Sequence, residues 1–260
     1  MALRNGLLVH GPTHWAAAVR AQDRTLKVAS GPKPRLRAAD GIPGLRGVAR
    51  LAEAFAVIPL VSRALPEARM PFQDVSVLGV AAGATLFGTL LRRRVGGAVG
   101  ETGAAMVALT PALFALRGGE VAQYHGVEHK AIAAYEQDRA DAGDAAKEHE
   151  RCGSHLVAPM MASNLAGTLL LRRAVERPGP LAGGAVALAS TAAAVEVFAW
   201  CERHADSAVT RAIRTPGFAL QRAIGTREPD ERQLDVGRAA LAEILRAEGI
   251  DGAATPSGSG

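Results

Sequence analysis

Residues 75–94 read VSVLGVAAGATLFGTLLRRR, an unbroken apolar run closed by Arg92-Arg93-Arg94. Three more runs share this form: Thr102 to Leu116 ending at Arg117, Leu156 to Leu171 ending at Arg172-Arg173, and Leu181 to Trp200 ending at Cys201-Glu202-Arg203. A helix that crosses a hydrocarbon core of about 30 Å needs about 17 to 25 apolar residues. These runs of 17, 15, 16 and 20 residues lie at the lower edge of that range. Their mixture of Ala, Gly, Ser and Thr with Leu and Val suits close helix contact in lipid better than a Leu-filled soluble core. The expected fold is therefore mainly α: a membrane bundle of about four short spanning helices in two hairpins, with small cytosolic-type segments at either end.

Length and composition agree with that organisation. The chain has 260 residues, 48% of them hydrophobic, and a mean hydropathy of only +0.10, an average that hides how the apolar residues are grouped. The formal charge of +5 comes from 26 arginines and 4 lysines scattered along the chain. With 4% aromatics there is little to stack bases, so no nucleic-acid partner is expected. Cys152 and Cys201 cannot build a disulfide framework. Met1 to His10 lacks a long apolar stretch, so no cleavable signal peptide is expected.

Three regions follow. Residues 1–74 form a basic N-terminal segment, broken at Gly31-Pro32-Lys33-Pro34. Within it Leu45, Val48, Ala52, Phe55 and Ile58 recur at helical spacing ahead of Pro59, which gives an amphipathic helix that lies on the membrane surface or packs on the bundle. Residues 75–200 form the membrane domain, with 117–155 as an inserted loop. Residues 201–260 form a soluble helical tail, whose helix starts at Pro229-Asp230-Glu231, carries Leu234, Leu241, Ile244 and Leu245 on one face, and trails into a loose end at Thr255 to Gly260. An even number of spans puts both termini and the loop on one side. Arginines flank the runs on both sides, so charge does not decide which side; the expectation is the cytoplasm. Glu196 sits inside the fourth run, where a charge at the bilayer centre costs about 2.5 to 3.5 kcal/mol, and so should face the bundle interior or a polar cavity. Glu101 can sit at the interface.

The chemistry concentrates in the inserted loop, at Tyr124-His125-Gly126-Val127-Glu128-His129-Lys130 and His149-Glu150-Arg151-Cys152-Gly153. On a helix His125 and His129 are one turn apart and can reach one ion at about 2.0 to 2.1 Å. Glu128 falls to the side of that face, as a third ligand or as a base beside a metal-bound water. The H-x-x-E-H pattern occurs in inverted zincin proteases, but that likeness stops at five residues. His149 and Cys152, three apart, complete a nitrogen and sulfur donor set suited to a divalent ion, zinc first and iron next. With all four donors engaged the site is closed and structural; with one standing back a position opens for water and Glu128 can take its proton. His155 is a further possible donor, whereas His10, His14 and His204 have no local partner in the sequence, and His14 beside Trp15 reads as a packed residue.

The 124–130 motif, together with Tyr135-Glu136, His149-x-Arg151-Cys152-Gly153, Pro216-Gly217-Phe218-Ala219-Leu220-Gln221-Arg222 and Thr226-Arg227-Glu228-Pro229, resembles the YqhQ family of bacterial multi-pass membrane proteins. Gly11-Pro12, Trp15, Ala18-Val19-Arg20 and Arg46-Gly47-Val48 extend the likeness over nearly the whole chain. That family is commonly labelled metal-dependent enzymes without an established reaction. The resemblance implies location in the bacterial cytoplasmic membrane and a polar centre of His125, Glu128, His129, His149 and Cys152, and it draws attention to Glu196. Two departures stand out. The glutamate-containing glycine-rich opening of the family has no counterpart in Met1-Ala2-Leu3-Arg4-Asn5, and Ser154-His155 follow Cys152-Gly153 where the family has threonine and a small or aromatic residue.

Three functions are compatible with these residues. The first is a membrane-embedded metal-dependent enzyme, most simply a hydrolase acting on an unidentified substrate, with Glu128 as base and Glu196 as a second acid. The second is a membrane protein whose metal only clamps the loop, and the third is an ion or solute transporter.

Overall fold

The computed structural model describes residues 1–36, 45–117, 119–137, 142–176 and 178–250; the expected loose end at 255–260 lies outside them. The chain opens with a three-stranded antiparallel meander of β1 (Gly6–His10), β2 (His14–Arg20) and β3 (Leu26–Pro32), with β2 central. Opposed pairs such as Leu7 with Ala18 and Leu8 with Ala17 share a face, so one register fills two cores. On one face Leu8, Trp15, Ala17 and Val19 meet Val57 and Val61 of α1 (Leu45–Ala64) and the following Leu65 and Met70. On the other, Leu7 and Ala18 meet Tyr124 and Val127 of α5 (Glu120–Glu136) and Val236 and Ala240 of α9 (Glu231–Ala247). Helix α9 starts where the sequence indicates: Asp230 caps Gln233 N–H, and the Gln233 side chain returns the bond, as in a capping box.

This sheet was not expected from the sequence. Strand β2 is covered on both faces, so His14-Trp-Ala-Ala-Ala-Val-Arg20 shows no alternation of apolar and polar residues, and its alanines favour helix in isolation.

The apolar runs form helices. The first is α2 (Val75–Arg94), capped by the Asp74 carboxylate on Ser76 N–H. The second begins five residues earlier than its apolar run and is divided at Leu109, ahead of Pro111, into α3 (Gly97–Ala108) and α4 (Thr110–Leu116). The third and fourth are α6 (Val157–Ala174) and α7 (Pro180–Arg203), packed as a hairpin. Among the described residues three helices are long and apolar enough to cross a membrane: Val75–Arg94, Gly97–Leu116 and Leu181–Arg203. These correspond to three of the four expected spans; α6, with Pro159, Ser163, Asn164, Arg172 and Arg173, falls short of that length and composition. Only 6, 17 and 11% of these windows are buried within the protein, so their outer faces are built for an apolar surrounding. The chain is in this respect made as a membrane protein.

Glu101 does more than sit at an interface. It is 6% exposed on α3 and accepts hydrogen bonds from Arg92 of α2 at 3.0 Å and Arg172 of α6 at 2.6 Å, joining the two hairpins at the end remote from the sheet. Helix α8 (Ala208–Leu220) runs into a π-helical turn at 221–225, and an extended stretch, 226–230, then lies along α5 before α9 begins.

Candidate metal centre

Helix α5 presents His125 and His129 one turn apart, their ring centroids separated by 4.4 Å. The loop after α5 brings Cys152 to them. Its Sγ lies 3.4 Å from His125 Nε2, and one donor atom from each of His125, His129 and Cys152 falls within 4.8 Å of the other two. Both imidazoles are held from behind: His125 Nδ1 donates to the Gly225 carbonyl at 2.8 Å, and His129 Nδ1 to the Lys147 carbonyl at 2.6 Å. In the neutral imidazole each Nε2 is thereby the acceptor nitrogen, the tautomer a metal ligand needs, whereas in the cation it donates toward the sulfur.

The electrostatics favour charge on the sulfur. Burial opposes ionisation of Cys152, but hydrogen bonds and Coulomb attraction from His125 and His129 outweigh it and lower its pKa to about 5. In the same way burial works against the charged form of His125, and the Cys152 and Glu128 contacts overcome it and raise its pKa. Glu128 is penalised by burial, yet the α-amino group of Met1, 2.6 Å away, and the two histidines keep its carboxyl below the usual range.

The other expected site residues lie elsewhere. His149 is turned away from the cluster: its Nδ1 accepts from Arg151 N–H and its Nε2 donates to Glu136 at 3.2 Å, although its ring centroid is only 5.8 Å from that of His129. His155 is buried, donating through Nδ1 to the Arg214 carbonyl and edge-on to Phe218. Glu196 is half-buried on α7 and is not among the cluster's donors. His10, which has no partner near it in sequence, comes within electrostatic reach of Glu128; burial, then the Met1 amine and Lys33, push its pKa down to about 4 against the pull of that carboxylate.

Several residues that hold the site were not singled out by chemistry in the sequence. The fully buried Gln221 accepts from His149 N–H at 2.8 Å and donates to the His149 carbonyl and Ser154 Oγ, gripping the loop on both sides of Cys152. The π turn that Gln221 opens ends at Gly225, whose carbonyl orients His125. Lys130 donates to the Gly143 and Ala145 carbonyls, both at 2.8 Å, and pairs with Glu228, fixing the segment that supplies the Lys147 carbonyl. Gln221 and Lys130 stand in the motifs quoted above, but the acceptors on both histidines are backbone carbonyls, which no side-chain pattern announces.

Beside the cluster is a polar cleft of about 610 Å³, with Glu136, Glu148, His149, Arg151, Glu202 and Arg214 on its walls. Alternating charges cross it from Glu136 to Arg151, Glu202, Arg214 and Glu150.

The chain is thus mainly helical, with three helices apolar enough to cross a membrane and a cluster of two histidines and one cysteine on a helix and loop beside a small sheet. Residues 119–247, from α5 through α9, match the family model described as "Protein of unknown function (DUF1385)", and over that segment the chain belongs to this family, in accord with its resemblance to the YqhQ family. No curated protein and no solved structure matches the chain.

Proposed function

We propose that His125, His129 and Cys152 hold one divalent ion, zinc first and iron next, in a multi-pass protein of the bacterial cytoplasmic membrane that acts as a metal-dependent hydrolase. The observation that carries this reading is the 3.4 Å approach of Cys152 Sγ to His125 Nε2 with both histidine Nδ1 atoms tied to carbonyls. Zinc–nitrogen and zinc–sulfur bonds of about 2.0 and 2.3 Å at a tetrahedral angle set such donors about 3.5 Å apart, so the residues fit the ion. When bound, the ion supplies Lewis acidity and lowers the pKa of its water.

The rest falls to the chain. His125, His129 and Cys152 would supply the three protein donors typical of catalytic zinc sites, and His149, engaged by Glu136, would not add a fourth. Glu128, on the same helix as both histidines and ionised, is the proton acceptor. The cleft bordered by His149 is the path for substrate. Helix α6, paired with α7, makes the fourth crossing and completes the second hairpin.

The test is elemental analysis of the detergent-purified protein beside a His125→Ala/His129→Ala variant, followed by a panel of chromogenic esters, amides and phosphates. One ion per chain in the wild type, none in the variant, and hydrolysis lost in Glu128→Gln with the ion retained would support the proposal. An ion that also departs with His149→Ala would assign a closed, structural site. No ion in the wild type would leave Cys152 and His125 as a metal-free ion pair and overturn the proposal.

A further inference from the structure

Helix α1 carries two faces that ask for different neighbours. Ala49, Glu53, Val57 and Val61, four residues apart, are buried, and Val57 and Val61 close the sheet's first core. Opposite them Leu51 and Phe55 are 44% and 57% exposed, and Ala52, Ala56 and Pro59 are exposed as well, with no polar residue among the five. Arg50 and Arg63, both exposed, bracket this face.

The position of α1 along α7 shows what covers it. A Cβ at Gly47 would fall 2.2 Å from Val195 Cγ1, so the start of α1 lies directly on α7 at that level. Val195 is eight residues inside the Arg203 end of a helix apolar enough to span, a depth of about 12 Å at 1.5 Å per residue. Trp200, the kind of residue that marks a membrane boundary, stands between them and stacks on His204. The apolar face of α1 is thus continuous with the outer surface of the spanning helices.

We infer that α1 is an interfacial helix, its Leu51, Phe55 and Pro59 face seated in the acyl chains beside α7 while Val57 and Val61 hold the soluble sheet against the bilayer. Arg50 and Arg63 reach the headgroups along their aliphatic stems. The sheet and the metal centre beneath it are then fixed at the membrane surface by α1 as well as by the ends of the spans. This rests on the membrane reading of α2, α3–α4 and α7, and not on the proposed chemistry.

The experiment places photoreactive p-benzoylphenylalanine singly at Phe55, at Leu86 of α2 and at Leu26 of β3 in the full chain reconstituted in phosphatidylcholine vesicles. Products are read by mass spectrometry. All three positions are exposed, so the fold tolerates the probe. Lipid adducts are expected at Phe55 and Leu86, with a yield at Phe55 about tenfold above that at Leu26. A protein–protein crosslink at Phe55 would put a second copy there, and a Phe55 yield no higher than that of Leu26 would put water there; either overturns the inference. Failure at Leu86 as well would mean that the membrane reading itself is wrong.

Discussion

Cys152 Sγ meets His125 Nε2 at 3.4 Å across 27 residues of chain, and neither partner holds that position by itself. His125 is aimed by the Gly225 carbonyl and Cys152 by a loop clamped to Gln221, so both depend on the π-helical turn 221–225 that follows α8.

The first consequence concerns charge. In metal-free protein carrying Cys201→Ser, thiolate absorbance at 240 nm should appear with a midpoint at about pH 5, against 9.0 for an ordinary thiol, because the imidazoles favour the anion over the cost of burying it. The folded pKa is depressed. The associated stability is therefore complete above the unfolded value and disappears as pH falls through about 5. His125→Ala should move the midpoint upward, and a midpoint unchanged in that variant would exclude the contact.

Gln221 gives a second expectation. Its amide holds the Cys152 loop by three hydrogen bonds without touching the donor atoms. In Gln221→Ala the affinity for Co²⁺, read from the thiolate-to-cobalt charge-transfer band, should fall about 10- to 100-fold. Unfolding stability should drop by about 1–3 kcal/mol from polar groups left unpaired. A folded variant with unchanged affinity and spectrum would remove Gln221 from the site.

How much of this was legible in the sequence depends on which force set each feature. Apolar runs and arginine stops are local, so α2 and α7 could be read directly. The pairing of His125 with His129 follows from helical spacing, and Cys152 from its donor chemistry. His149 went to Glu136 instead because Arg151 N–H and Glu136 satisfy both of its nitrogens, a competition that spacing cannot reveal. The sheet was hidden because burial on two faces erases the strand pattern in β2. Glu101 was underestimated for a similar reason: Arg92 and Arg172, which make its burial tolerable, lie on other helices.

Removing one side of that clamp should not equal removing the other. Glu101 is 6% exposed while the Arg92 and Arg172 side chains are 43% and 36% exposed, so without the carboxylate both arginines can turn to water. Arg92→Met/Arg172→Met strands a buried charge and should cost about 3–5 kcal/mol. Glu101→Gln should cost clearly less. Thermal unfolding in detergent decides, and equal losses would mean that the carboxylate is hydrated.

Glycines supply the last contrast. A Cβ at Gly126 would fall 2.3 Å from the Arg227 carbonyl oxygen, whose residue also donates its N–H to the Ala122 carbonyl, so the stretch after the π turn is pressed against α5 one residue from His125. Backbone cannot give way as a side-chain tip does. Gly126→Ala should therefore cost about 1–3 kcal/mol and loosen metal binding together with the fold. Gly83 on α2 has nothing within 4 Å of its Cβ position, and Gly83→Ala should be neutral or gain up to about 1 kcal/mol from helix entropy. Paired melting curves measure both. If Gly126→Ala melts with the wild type, the 226–229 stretch does not lie on α5, and the carbonyl that orients His125 loses its support.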